Sequence, residues 1–269
     1  MENFVTTDGA NIALNIQQGD TNAPPIVLLH GWSSNADAWA PIVEQMKGHT
    51  IYAWNARIHT ESTTIERMAQ DLRELIEHYD IRPVIVGHSM GTLTTFEFIR
   101  QFGTDQIEKF VIIDQSPKLI TDETWDKGIY GDFNNEDSEK LIAFMEDNFI
   151  ETVIKMTCLG SNRLFRKLFL FDAPILNDIR SRLGALSATT FIDTWKTFVG
   201  KDYRDVLPQI DIPVLAIMGG QSNFYPPSLS KYLQQEISDI HLKTYPNGSH
   251  SPQFEFPGQF AEDLTHFIK

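Results

Sequence analysis

The sequence predicts an α/β fold, a mostly parallel sheet interrupted by an all-helical insertion. Three observations lead there. From residue 25 to 114, short continuous apolar runs alternate with amphipathic stretches, the rhythm of parallel strands joined by right-handed helical crossovers. From 115 to about 208 that rhythm stops, and the chain reads as helical and rich in Phe and Leu. It then resumes with two further strand–helix pairs. The 269 residues are 42% hydrophobic and include 18 Phe and 5 Trp, enough apolar material for a sizeable core.

The elements follow in order. Residues 11–17 are interrupted apolar, as in an antiparallel strand near a sheet edge, whereas 25–29 are continuously apolar, as in a strand buried on both faces. A helix is predicted at 37–47 and a short strand at 50–54. The stretch 63–79 carries Ile65, Met68, Leu72 and Ile76 at helical spacing, with Glu66, Arg67, Asp71, Arg73 and Glu74 on the other side. A buried strand at 83–87, a helix at 90–101 with Leu93, Phe96 and Ile99 on one stripe, and a strand at 109–113 complete the first part. Within the insertion, helices are expected at 141–156, 164–171, 175–186 and 191–199, and the polar run 131–137 reads as a solvated loop. The closing elements are a strand at 213–218, a helix at 228–235, a strand at 241–245 and a helix at 259–268. The domain reading is a core of 1–114 plus 209–269, with 115–208 as a helical cap over the carboxyl ends of the strands, where open α/β sheets bind ligands.

Charge and cysteine content narrow the function classes. Lys and Arg total 22 against 36 Asp and Glu, a net charge of −14, which disfavours nucleic-acid binding and adsorption to anionic lipid. Cys158 is the only cysteine, so neither an internal disulfide nor an all-cysteine zinc site can form, and a buried inert thiol is expected. No apolar run is long enough to span a bilayer, and no basic region followed by an apolar run opens the chain. A cytoplasmic protein is expected, with no membrane insertion, no nucleic-acid partner and a small-molecule substrate. There is no His-Glu-x-x-His, phosphate loop or dinucleotide glycine fingerprint, so no cofactor or metal is implied.

The chemistry concentrates in three places. Val86-Gly87-His88-Ser89-Met90-Gly91 fits G-x-S-x-G between a predicted strand and a predicted helix, the context of a nucleophile elbow. A serine on so sharp a turn needs glycines two residues away on either side to avoid clashes. Its hydroxyl stands above the sheet, beside the Met90 N–H at a helix N-terminus where an oxyanion would be stabilised. Leu28-Leu29-His30-Gly31-Trp32 ends the first buried strand and offers the Trp32 N–H as a second donor, with the His30 side chain assigned to structure. Asn247-Gly248-Ser249-His250-Ser251-Pro252 follows the last strand and carries the natural general base, His250. His49, His78, His241 and His266 fall on expected surface elements, His59 on a loop and His88 inside the elbow.

On His30-Gly31-Trp32, Gly87 to Gly91, Leu207-Pro208 before the 213–218 strand, and Gly248-Ser249-His250, the chain resembles the α/β-hydrolase superfamily, in its branch with a helical cap between the sixth and seventh core strands. The resemblance spans nearly the whole chain and implies an eight-stranded, mostly parallel sheet flanked by helices. It implies Ser89 as nucleophile and His250 as base. Two departures bear on the acid. The position after the seventh strand, Met218-Gly219-Gly220-Gln221-Ser222-Asn223, offers no carboxylate, whereas Ile113-Asp114-Gln115 places one at the end of the sixth strand, where some family members keep theirs. Asp114 is therefore assigned as the orienting acid. Asp211 lies at the wrong end of the sheet. The loop Asn55-Ala56-Arg57-Ile58-His59-Thr60-Glu61-Ser62 aligns with the family at Arg57, His59 and Ser62 and lacks its two glycines. The implied activity is a carboxylesterase-like serine hydrolase acting on a small, mainly apolar substrate through an acyl-enzyme. Alternatives on the same framework are a cofactor-independent dioxygenase of N-heteroaromatic rings, a perhydrolase or C–C hydrolase, and a slow ligand receptor. The residues do not identify the substrate-binding positions or the oligomeric state.

Overall fold

The computed structural model describes residues 2–19, 22–160 and 162–269. The strands are β1 (Glu2–Val5), β2 (Asn11–Gln17), β3 (Ile26–Leu29), β4 (Ile51–Trp54), β5 (Val84–His88), β6 (Lys109–Ile113), β7 (Val214–Gly219) and β8 (Ile240–Tyr245). They form one eight-stranded sheet in the order β1-β2-β4-β3-β5-β6-β7-β8. The pairs β1–β2 and β2–β4 are antiparallel, and all pairs from β4 to β8 are parallel. The edge-type strand expected at 11–17 thus lies one position inside β1, whose four residues with one buried side chain carry no alternation that marks a strand.

Alternation explains the continuous apolar runs. Val27, Leu29, Ile85, Phe110 and Ala216 point to one face of the sheet, Ile26, Leu28, Val86, Val111 and Ile217 to the other, and both faces are buried. The helices are α1 (Ala40–Val43), α2 (Ile65–His78), α3 (Met90–Phe102), α4 (Asn135–Asp147), α5 (Phe149–Cys158), α6 (Arg163–Leu170), α7 (Ile175–Gly184), α8 (Ala188–Phe198), α9 (Ser228–Glu236), α10 (Pro252–Glu255) and α11 (Pro257–Ile268). Leu72 of α2 and Phe96 of α3 pack on the first face; Ile42 of α1 and Phe260 and Leu264 of α11 cover the second.

Three expectations are corrected. The helix at 37–47 is a 3-10 turn at Ala36–Trp39 followed by the single turn of α1, where Asn35 caps the turn and Pro41 opens the helix. The helix at 141–156 is two helices, because Asn148 takes an extended conformation (φ −147°, ψ 87°) and its side chain accepts from Glu151 N to start α5. An asparagine that satisfies a helix terminus competes with continuation through it. The run 131–137 is not all loop: Asn134 and Asp137 form a capping box, so α4 begins at Asn135. The polar residues that suggested solvent are the helix's own start signal.

Among the described residues five helices, α4 to α8, lie between β6 and β7. They reach back to the sheet's carboxyl end. The Trp32 indole N–H donates to the Phe191 carbonyl at 2.9 Å, and its ring meets Phe149, Phe191 and Trp195 at 5.8, 6.0 and 5.0 Å between centroids. Among the described residues no helix is long and apolar enough to cross a membrane.

Candidate active site

Ser89 sits between the end of β5 and the start of α3 with φ 53° and ψ −116°. A non-glycine residue in that region stores roughly 1–3 kcal/mol and persists only where its surroundings impose it. Here they do. A Cβ on Gly87 would lie 2.6 Å from Thr92 N, and one on Gly91 2.4 Å from the Leu29 carbonyl oxygen. Both glycines are sterically required for β5 to turn this tightly into α3 against β3.

Asp114 and His250 meet. Asp114 ends β6 with φ 41° and is fully buried. Its Oδ2 accepts from His250 Nδ1 at 2.8 Å and from the Ser222 hydroxyl at 2.7 Å, while Oδ1 accepts from Gly219 N at 2.9 Å. Three donors satisfy a carboxylate taken out of water. With Nδ1–H directed at Asp114, the other imidazole nitrogen, Nε2, is the one that can accept a proton. Ser222, at the position where the family pattern places its acid, instead donates to an acid carried by the neighbouring strand. It also accepts from Phe224 N and Tyr225 N at 3.2 Å each, which fixes the loop between them.

Further contacts hold His250 from every side. Its N–H donates to Asn223 Oδ1 at 3.1 Å, and Asn223 Nδ2 donates to the Thr157 carbonyl of α5 at 2.7 Å. Its carbonyl accepts from His88 Nε2 at 2.9 Å, and its ring packs against Phe224 at 4.6 Å and Tyr225 at 5.8 Å. Glu255 secures the approach to it by accepting from Ser249 N at 2.7 Å and Ser249 Oγ at 2.6 Å. Sequence reasoning missed Ser222, Asn223, Glu255 and His88 as supports. Ser222 and Asn223 stand out in the sequence only as a missing carboxylate, and no spacing signals the other two.

Two histidines at the site are uncharged. Burial pushes His30 down to about 3, helped by the adjacent His59, and burial does the same to His88, helped by His250. His30 Nε2 accepts from Ala56 N at 3.0 Å, leaving Nδ1–H for the Gly31 carbonyl at 2.8 Å. This is the loop-bracing role expected of it.

Ser89, His250 and Trp32 line one cavity of about 790 Å³, whose other walls are largely apolar, including Val153, Met156, Phe165, Leu176 and Trp195. Among the described residues no hydrogen bond joins Ser89 to the imidazole, and neither the Trp32 nor the Met90 N–H has a partner. Met90 is buried in the first turn of α3, immediately after Ser89. Cys158 is buried on the same cavity, and burial raises its thiol pKa. Among the described residues no group of three or more His, Cys, Asp or Glu side chains is placed to hold a metal ion.

A family model described as the alpha/beta hydrolase fold matches residues 24–257. The chain is 25% identical over 263 residues to a pimeloyl-[acyl-carrier protein] methyl ester esterase of Vibrio vulnificus, covering 93% of this chain and 96% of the relative. It is 26% identical over 282 residues to a bifunctional esterase/perhydrolase of Acinetobacter calcoaceticus, covering 99% of each. Among solved structures, an esterase from Exiguobacterium antarcticum superposes with a TM-score of 0.83 at 17% identity, over 99% of this chain and 98% of the other. With an eight-stranded sheet, a strained serine after β5 and a family match over most of its length, the chain belongs to the α/β-hydrolase fold family and is an enzyme of that family.

Proposed function

We propose that the protein hydrolyses a carboxylic ester of a small, mainly apolar substrate through an acyl-enzyme on Ser89. The observation that carries this reading is the strained Ser89 facing the same cavity as an imidazole bonded at 2.8 Å to a buried carboxylate. His250 Nε2 takes the proton as Ser89 Oγ attacks the carbonyl carbon. The Trp32 and Met90 N–H groups, both without an intramolecular acceptor among the described residues, receive the oxyanion. The imidazolium, paired with Asp114, gives its proton to the leaving alkoxide. Water attacks the acyl carbon by the reverse exchange and releases the acid. In a free enzyme the serine–imidazole contact is often loose and tightens with substrate bound. Residues 115–208 act as a cap on a core of 1–114 and 209–269, and the apolar cavity under α5 to α8 favours an apolar acyl or alkyl group.

Support also comes from the relatives, several of which are named as esterases. The test is turnover of an activated ester with fluorophosphonate labelling. Ser89→Ala should lose at least about 10³-fold in kcat and all labelling, and full activity in that variant would refute the triad. The esterase/perhydrolase relative supports a second acceptor, hydrogen peroxide in place of water, read as peracid formed from the same acyl-enzyme.

A further inference from the structure

We infer that Arg182 selects esters that carry an anionic group, a carboxylate or a phosphate, at the end remote from the scissile bond. This rests on the reading of Ser89 as the acyl nucleophile. The α7 helix turns Ile175, Leu176, Ile179 and Leu183 toward the cavity shared with Ser89, and Arg182 falls on the same stripe. Among the described residues it is the one Lys or Arg lining that cavity.

Its guanidinium is uncommitted although the chain is rich in acids. Acids outnumber bases by 36 to 22, and its helix neighbour Arg180 pairs with both Glu151 and Asp172. Arg57, Arg67, Arg100 and Arg204 pair with carboxylates as well. Among the described residues the Arg182 side chain makes no ion pair and no hydrogen bond, while its backbone carbonyl accepts from Ala185 N. The two carboxylates on the cavity, Asp37 and Glu255, lie outside the inserted helices. Glu255 is held by Ser249, and Asp37 accepts from Asn15 Nδ2 at 2.8 Å. Both repel an anion from their own side, so the favourable place for one is against α7.

The position also suits a modest, selective contact. Arg182 is exposed, so an anion bound to it stays partly hydrated and avoids most of the desolvation cost of a buried pair. The guanidinium fork receives carboxylate or phosphate oxygens two at a time. A cavity of 790 Å³ is on the order of 10 Å across, room for a medium-length chain from the serine to the rim.

The test compares methyl hydrogen octanedioate with its neutral partner methyl 8-hydroxyoctanoate in the wild type, Arg182→Gln and Arg182→Glu. The readout is the ratio of kcat/KM, anionic over neutral, at low ionic strength. The ratio should fall about fivefold in Arg182→Gln and further in Arg182→Glu, through KM rather than kcat, and added salt should shrink the difference. Kd values for the matching ketones, with a methylene in place of the ester oxygen, give the same ratio without turnover. If neither ester is cleaved but the ketone ratio follows the charge at 182, the ester reading fails and the anion contact stands. Ratios identical in all three proteins overturn the anion contact whatever the esters do. The phosphate monoester of methyl 8-hydroxyoctanoate, run in the same assay, separates the two sources: a higher anionic-to-neutral ratio than that of the octanedioate assigns phosphate, a lower one carboxylate.

Discussion

The carboxylate bonded to His250 is that of Asp114, one strand away from the position where the family pattern places its acid. The geometry permits this because β6 and β7 are adjacent and parallel, so both carboxyl ends open on the loop that carries His250. Asp114→Asn should therefore lower kcat by about 10⁴-fold by presenting the wrong hydrogen-bonding pattern to Nδ1, while Asn223→Ala, which loses only backbone tethers, should cost far less. The reverse order, measured in the same ester assay, would remove Asp114 from its role. The buried neutral histidines make a separate prediction. His30 and His88 hold about 3 in the fold against an ordinary value of 6.5, so below 6.5 the unfolded chain binds protons that the folded chain refuses. Their contribution is complete above about pH 6.5 and is lost as pH falls from there toward 3, at about 1.4 kcal/mol per pH unit for each ring. Urea midpoints measured from pH 7.5 down to 4 should fall accordingly, and a flat profile would show that both rings take up their protons in the fold.

The elbow shows how an element is forced by its neighbours. The β5–α3 junction is tight because α3 starts directly over β3, with no room for a side chain between Gly91 and Leu29. Gly91→Ala should shift α3 outward, destabilise by about 1–3 kcal/mol and misplace both Ser89 and the Met90 N–H, seen as a lower Tm together with a lower kcat. The elbow was legible in the sequence because its constraint is local: a strand, two glycines and a helix within ten residues. The α4–α5 break was not, because Asn148 sits inside an apolar periodicity that continues across it, and capping is decided by side-chain geometry rather than by period.

Across the molecule, distant segments are tied by a buried charge cluster. The Arg57 guanidinium donates to both Asp71 oxygens at 2.9 and 2.7 Å, and also to Asp8 and Glu61, while Arg67 bridges Asp71 to Glu74. The cluster joins the β1–β2 turn, the loop after β4 and α2. It also explains how the loop after β4 keeps its place without the two glycines of the family pattern: Arg57 and His59, which bonds the Ser34 carbonyl at 2.9 Å, pin it from both ends. Asp71→Ala leaves Arg57 buried without its main partner, at a cost of about 3–5 kcal/mol. Thermal unfolding should register a fall on the order of 10 °C; an unchanged Tm would mean that Arg57 finds water or another acid.

The alternation of apolar runs, the elbow motif and the placement of a histidine in the loop after the last strand are properties of short windows. Most of the order of β and α segments, though not β1 or the break between α4 and α5, and the positions of Ser89 and His250 at their strand ends could therefore be read from the chain without any structure. Which carboxylate reaches the imidazole, which loop residues brace it, and that Trp32 is anchored by helices more than a hundred residues downstream depend on segments far apart in sequence. Those contacts come from the register of β6 against β7 and from α5 and α8 folding back over the sheet. No local pattern encodes a partner brought in by a distant crossover, and a hydroxyl such as that of Ser222 looks the same in the sequence whether it faces water or a buried carboxylate.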